Sequence, residues 1–359
     1  MKEAIMNVDL DSIVYNYRHL KCYYSQNVIA VLKDNAYGVG LLEIANALKY
    51  EEGLIIAINK LCEAILLREH GFTKDILYLN VFDNEDVDII KKYDISVIID
   101  NLDQLEFLKN TNIKFHLKIN TGMNRLGLNE VDYKKAIKIV NTTKYNLVGI
   151  MTHFADSDKN HKSYELFEKY VKMMPHYEQL IIHCFASSSL NEKFNNITNH
   201  IRVGIKLYGI GERNSFLHNS LTLYSPIISK KEINAFQSVG YDYLYKTKGK
   251  GYLYILPIGY GQGWGRFNNS LGFNNYNYLS QAGQISMDYS TYFCKKSISN
   301  DEIIELFGKN VPLEIVCKEN NIDPHEILVK LKVKKNYIKK TLEWNFQVLF
   351  MIRSIVVNT

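Results

Sequence analysis

A chain of 359 residues exceeds the roughly 250–300 residues that one hydrophobic core usually organises, so a large domain and a smaller one are expected. Its 47% hydrophobic and 23% charged residues are ordinary for a water-soluble protein, and the net charge of +5 is spread along the chain without the groove-reading motif of a nucleic-acid binder. Cys22, Cys62, Cys184, Cys294 and Cys317 are widely spaced and form no CxxC pair, which argues against a disulfide framework or a zinc site and suits a reducing cytoplasm.

The opening "MKEAIMNVDLDS" carries acids where a secretory signal has its apolar core, and no apolar run reaches the ~18 residues of a membrane span. Short β-branched runs then recur in chain order: "AIMNV" (4–8), "NVIAVL" (27–32), "LIIAI" (54–58), "DILYL" (75–79), "SVIID" (96–100), "KFHLKI" (114–119), "LVGIM" (147–151) and "LIIHC" (180–184). Helical spacing fills the intervals. In "KLCEAILLREHG" (60–71), Leu61, Ala64, Ile65 and Arg68 fall on one face and Gly71 marks the stop. Alternating strand and helix predicts a parallel sheet, and about eight such units suit a closed (β/α)₈ barrel slightly better than an open doubly wound sheet, because no GxGxxG follows an early strand.

From about residue 222 the texture changes to strand-like runs cut by Gly, Pro and Asn: "LTLYSPIIS", "YLYILPIGYGQGWGR" and "AGQISMDYSTYF". The expected fold is therefore α/β, a TIM-type barrel over 1–221 followed by a β-rich domain over 222–337. "DEIIELFG" and "DPHEIL" read as short closing elements, and the basic run "VKLKVKKNYIKK" (329–340) as a solvated helix face. Residues 338–359 form a tail with no assignment.

Barrel enzymes carry their chemistry at the carboxyl ends of the strands. Lys33 follows "VIAVL", Lys118 leads through "NTG" toward Arg125, His153 follows "LVGIM", Ser187 and Ser188 follow "LIIHC", and Arg202 sits in "IRVGIKLYG". Each alone has a bland reading as a surface charge, a structural histidine or a loop serine. Together they suggest a phosphorylated carbonyl cofactor. An amine at a barrel mouth can condense with an aldehyde, and Ser188 with the backbone N–H groups of Gly204 and Ile205 falls where barrels build phosphate sites.

The segments "VLKDNAYGVG", "LKINTGMNRLGL", "MTHFADSD", "RVGIKLYGI", "PIGYGQGWGR" and "GQISMD", in this order and spacing, resemble those of alanine racemase, a pyridoxal-phosphate family of fold type III. The resemblance runs from about residue 4 to 288. It implies a cytoplasmic homodimer, associated head to tail, that racemises alanine and supplies D-alanine for peptidoglycan. Lys33 would carry pyridoxal 5'-phosphate covalently and act as one of two acid/base groups. Tyr260, from the other subunit, would be the second. Tyr37, Ser188, Gly204 and Ile205 would hold the phosphate, His153 would pack beside the ring, and Arg202 would face the pyridine nitrogen. Arg125 would orient the substrate carboxylate, Lys118 is a carbamylation candidate, and Met287 with Asp288 would narrow the entrance. A broader amino-acid racemase and a non-catalytic pyridoxal-phosphate carrier remain as alternatives.

The chain departs from the family pattern at several points. Tyr260 is followed by Gly-Gln-Gly where an acid is usual, Asn120 stands where an Asp precedes Thr-Gly-Met, and Ser187 replaces an Asn. Val333 occupies the place of a tyrosine that contacts the phosphate, with Tyr337 four residues on.

Overall fold

A computed structural model describes residues 3–142, 144–155, 161–190, 197–211 and 216–339. The chain opens on strand β1 (Ile5–Asp9) and helix α1 (Leu10–Tyr23), whose first turn is capped by Asp9 accepting the Ser12 backbone N–H. Eight strands then build the barrel: β2 (Asn27–Val31), β3 (Ile55–Ile58), β4 (Asp75–Tyr78), β5 (Ser96–Ile99), β6 (Lys114–Lys118), β7 (Asn146–Met151), β8 (Ile181–His183) and β9 (His200–Val203). Their order is β8-β7-β6-β5-β4-β3-β2-β9, with every ladder parallel. The remaining seam between β8 and β9 is stitched by the Asn199 N–H to Ile182 O (3.1 Å), the Ile182 N–H to Asn199 Oδ1 (2.8 Å) and the Arg202 N–H to Phe185 O (3.0 Å).

Strands covered on both faces read as continuous apolar runs, and β3 and β5 are buried at every position. The outward residues pack beneath the helices, whereas Ile29, Ile55, Ala57, Leu77, Ile98 and Met151 form a separate cluster inside the barrel. Ladder partners point to the same side. Ile29 pairs with Arg202, Ile98 with His116 and Met151 with His183, so these polar residues also face the interior.

The expected helix over 60–71 is α2 (Leu61–Glu69), with Gly71 at φ +79° and the Phe72 N–H closing back on Leu67 O (3.0 Å). Two expectations about the barrel change. The run over 4–8 is not a barrel strand: β1 pairs antiparallel with β10 (Leu221–Pro226) in the second sheet, and the eighth barrel strand is β9. Burial explains the difference. β1 alternates, with Ala4, Met6 and Val8 buried and Ile5 and Asn7 less so, as a strand does when one face is only partly covered. β9 escaped notice because Arg202 interrupts its apolar run.

The second sheet is completed by β11 (Ser229–Ile233), β14 (Gly251–Leu256), β15 (Leu271–Asn274), β16 (Asn277–Gln281), β17 (Ser290–Cys294), β18 (Ile303–Phe307) and β19 (Lys334–Ile338), while β12 (Ser238–Val239) and β13 (Tyr245–Lys246) form a small ribbon. Its order is β11-β14-β17-β16-β15-β18-β10-β1-β19. The basic run is thus no solvated helix: helix α3 (Pro324–Lys330) ends within it and β19 follows as an edge strand parallel to β1. Lysines suit such an edge, since an exposed ammonium discourages pairing with another chain. Of the unassigned tail, everything from residue 340 onward lies outside the described residues.

All five cysteines are free thiols. Among the described residues no helix is long and apolar enough to cross a membrane, and no cluster of three or more His, Cys, Asp or Glu residues could hold a metal ion.

Candidate active site

Lys33 leaves the end of β2 into an unusual turn. Asp34, Asn35, Ala36 and Tyr37 all have φ between +53° and +58°, a left-handed turn of four non-glycine residues closed by Gly38 at φ +77°. Such a conformation costs about 1–2 kcal/mol per residue, so the surroundings must hold it. They do so by absorbing its backbone groups. The Asn35 N–H donates to Glu63 Oε1 (2.7 Å), the Tyr208 hydroxyl donates to Ala36 O (2.9 Å) and the Tyr337 hydroxyl to Val39 O (2.8 Å). Lys60 pairs with Asp34 at 2.8 Å. Tight packing forces Gly at two positions: a Cβ on Gly38 would lie 2.6 Å from Leu328 O, and one on Gly40 would lie 2.1 Å from the Tyr337 hydroxyl.

The turn brings Tyr37 across the barrel mouth. Its buried ring puts the hydroxyl so close to Gly204 that a Cβ there would lie 2.2 Å away. The Gly204 N–H donates to Ser187 Oγ (3.1 Å). The substituted Ser187 is therefore the residue that touches this turn, while Ser188 lines the same cavity.

That cavity, about 710 Å³, gathers Lys33, Tyr37, Lys118, Arg125, His153, Ser188, Arg202, Gly204 and Ile205 from the sequence-predicted set. Among the described residues that line it, the Lys and Arg cations are Lys33, Lys118, Arg125, Arg202 and Lys206, and there is no Asp or Glu. A cavity so charged is built for anions.

Arg202 is buried at its centre, where loss of hydration pulls the guanidinium down to about 10. It still carries its charge at neutral pH. NH1 donates to His183 O (3.0 Å) and His183 Nδ1 (2.7 Å), and NH2 donates to Thr152 O (2.8 Å), Cys184 O (3.0 Å) and His153 Nδ1 (3.3 Å). Guanidinium only donates, and this fixes the tautomers. His183 must accept at Nδ1, so its proton is on Nε2, which donates to His116 Nδ1 (2.9 Å). His116 then carries its own proton on Nε2. Burial, followed by the nearby His200 and Arg202, holds His116 down to about 3, and His183 is lowered for the same reasons. His153 is also held down to about 3, first by burial and then by Arg202, Arg125, Lys118 and Lys33. It is a neutral hydrogen-bonding residue at neutral pH, with its proton on the nitrogen turned from Arg202.

Burial, then Arg202 and Arg125, brings the Lys118 amine down to about 8. Asn120 takes over the work of an acid at the head of the following loop: Oδ1 accepts the N–H groups of Gly122 (3.0 Å) and Asn124 (3.1 Å), while Nδ2 donates to Asn124 Oδ1 (2.8 Å).

Tyr260 and Met287 do not line this chain's cavity. They lie together on the second domain, joined by the Tyr260 N–H to Ser286 O (3.1 Å) and the Gly261 N–H to Met287 O (2.8 Å), both with exposed side chains. The guanidinium carbon of Arg266 stands 5.0 Å from the Tyr260 ring centroid. Gln262, which replaces the usual acid, fixes the loop with Oε1 accepting the Gly259 N–H (2.9 Å).

Sequence reasoning missed His116, His183, Lys206 and His325. The first two had a signal: His116 shares the face of Lys118 in β6, and His183 stands next to the end of an apolar run. His325, whose ring centroid is 5.2 Å from that of Tyr37, is near in space only.

A parallel barrel with an amine and two arginines at one anion-accepting mouth, joined to a β-domain, defines a barrel enzyme for small anionic ligands. The comparisons narrow the class. Residues 8–212 match the alanine racemase N-terminal domain and residues 220–338 the alanine racemase C-terminal domain. An alanine racemase of Fusobacterium nucleatum is 33% identical over 310 residues, spanning 82% of this chain and 87% of its own. The structure of alanine racemase from Bartonella henselae with covalently bound pyridoxal phosphate superposes with a TM-score of 0.85 at 27% identity, covering 94% of this chain and all of its own. That from E. faecalis gives 0.84 at 26%, covering 94% and 98%. The chain belongs to the alanine racemase family of isomerases.

Proposed function

We propose that this protein is a cytoplasmic, pyridoxal-phosphate-dependent alanine racemase, working as a homodimer and supplying D-alanine for peptidoglycan. The observation that carries the reading is the cation-rich cavity in which Lys33 meets an anion cradle and Arg202. The residues present fit pyridoxal phosphate. Lys33 offers the amine for its aldehyde, while Tyr37, Ser188 and the Gly204–Ile205 backbone offer donors to its phosphate. Arg202, still charged at neutral pH, offers a donor to the pyridine nitrogen. When bound, the cofactor draws electron density from the substrate α-carbon, which makes its proton removable.

Racemisation then requires a proton to leave one face and return to the other. Lys33 Nζ holds or gives the proton on one face, and the hydroxyl of Tyr260 of the partner subunit does so on the other. Exposure of Tyr260 beside Met287, outside its own cavity, supports that division. Arg125 pairs with the substrate carboxylate, and Met287 narrows the entrance around a small side chain. Lys118, with its amine brought to about 8, is reactive toward carbon dioxide. The nitrogen attacks carbon and releases a proton, and the resulting carbamate anion pairs with Arg125.

The purified protein with pyridoxal phosphate is expected to form D-alanine from L-alanine, and to act more slowly on L-serine, since an added hydroxyl in a small pocket costs roughly 1–3 kcal/mol. A chiral assay of both reactions reads the outcome. No D-alanine would overturn the proposal, and faster turnover of serine would move the substrate assignment.

A further inference from the structure

We propose that the side-chain amide of Asn59 is a ligand of the cofactor, donating to the phenolic oxygen of the pyridoxal ring, a role that rests on the pyridoxal-phosphate reading above. Strand register places it. Val31 pairs with Ala57 and Ala57 with Leu77, and the ladder runs on through the Leu32 N–H to Ala57 O (2.8 Å) and the Leu79 N–H to Ile58 O (2.9 Å). Ile55 and Ala57 face the barrel interior, so Asn59, two residues on, faces it as well and lines the cavity. By the same count Asn59 stands at the mouth between Lys33 and Leu79, on strands that neighbour one another at about 4.8 Å.

The amide is uncommitted. Asn80, also in the cavity wall, spends its own side chain locally: Oδ1 accepts the Val81 N–H (2.9 Å) and Nδ2 donates to Asn59 O (3.4 Å). The half-buried Asn59 side chain itself makes no hydrogen bond among the described residues, and Leu79 beside it has no polar side-chain atom to offer. The connectivity of the cofactor says what meets this amide. On the pyridoxal phosphate ring the aldehyde carbon is flanked by the phosphate arm on one side and the hydroxyl on the other, with the nitrogen opposite. The Tyr37–Gly204 cradle lies toward β9, which pairs with one edge of β2, and Arg202 of β9 also lines the cavity. With the arm in that cradle, the nitrogen at Arg202 and the aldehyde at Lys33, the hydroxyl turns to the other edge of β2. There β3 brings Asn59. An amide N–H donates to a phenolic oxygen, and most strongly when that oxygen is ionised.

Equilibrium dialysis of the apo-protein against pyridoxal phosphate and against 3-deoxypyridoxal phosphate, which lacks only the ring hydroxyl, isolates this contact. Asn59→Leu keeps the branched shape without a donor. It is expected to weaken pyridoxal phosphate binding roughly tenfold or more, as loss of a charge-assisted hydrogen bond does, and to leave binding of the deoxy compound unchanged. Asn59→Asp, of the same shape but offering a carboxylate that only accepts, is expected to weaken pyridoxal phosphate at least as much, and it decides the matter should Asn59→Leu fail to fold. Variants that bind pyridoxal phosphate within about twofold of the parent, or that lose both compounds equally, would overturn the role of Asn59. Uptake of neither compound by the parent would instead sink the pyridoxal-phosphate reading itself.

Discussion

Lys33→Ala and Tyr260→Phe proteins, each purified alone, are expected to lose racemase activity by about 10²–10⁴-fold, the usual worth of a positioned proton-transfer group. Mixed so that subunits exchange, they are expected to regain roughly a quarter of the parental rate. Lys33 lines the cavity of its own barrel, while Tyr260 stands outside that cavity on the second domain. If each site takes its amine from one subunit and its phenol from the other, a hybrid dimer has one site with both groups and one with neither. If both groups came from the same chain, mixing would return no activity at all. Activity after mixing, against the two proteins alone, is the measurement, and failure to complement would place Tyr260 elsewhere in the mechanism.

Arg202→Leu is expected to destabilise the apo-protein by about 3–5 kcal/mol, in addition to impairing catalysis, because the acceptors left behind are buried. Thr152 O, His183 O, Cys184 O and His183 Nδ1 all accept from this guanidinium, and Leu offers no donor to any of them. Urea unfolding of the two proteins measures it. The same network carries a pH dependence. The His116 imidazole is held down to about 3 in the folded protein but titrates near 6.5 when unfolded. The unfolded chain therefore takes the proton first. Stability is full above about pH 6.5 and falls as the pH drops toward 3, by up to about 1.4 kcal/mol per unit for this one residue. His116→Gln is expected to flatten that slope; a loss below 1 kcal/mol for Arg202→Leu, or an unchanged slope for His116→Gln, would contradict this account of the network.

How much was legible depended on whether a residue obeyed the periodicity of its element. Most barrel strands from β2 to β8 announced themselves because their runs are largely apolar, although His116 and Lys118 interrupt β6 and His183 ends β8. β9 did not, since Arg202 must face the interior and so breaks the pattern at the very place where function enters. β1 misled for the opposite reason: five apolar-rich residues look alike whether they join a barrel or an antiparallel sheet, and only long-range pairing with β10 decides. Lys33, Lys118, His153 and Arg202 could be picked out as strand-end or strand-interrupting polar residues. The left-handed turn could not. Asp34, Asn35, Ala36 and Tyr37 carry no glycine among them, and the groups that stabilise their positive φ, from Glu63 to Tyr337, arrive from distant parts of the chain. Substituted positions were similarly opaque until side chains were seen, as Gln262 and Asn120 accept the backbone N–H groups that an acid would accept.

Among the described residues three lysines line the cavity, Lys33, Lys118 and Lys206, and the aldehyde is assigned to only one of them. Borohydride reduction of protein loaded with pyridoxal phosphate, followed by peptide mapping, tests that assignment directly. A stable pyridoxyl label on the peptide that contains Lys33 is the expected result, and a label on Lys118 or Lys206, or none at all, would contradict it.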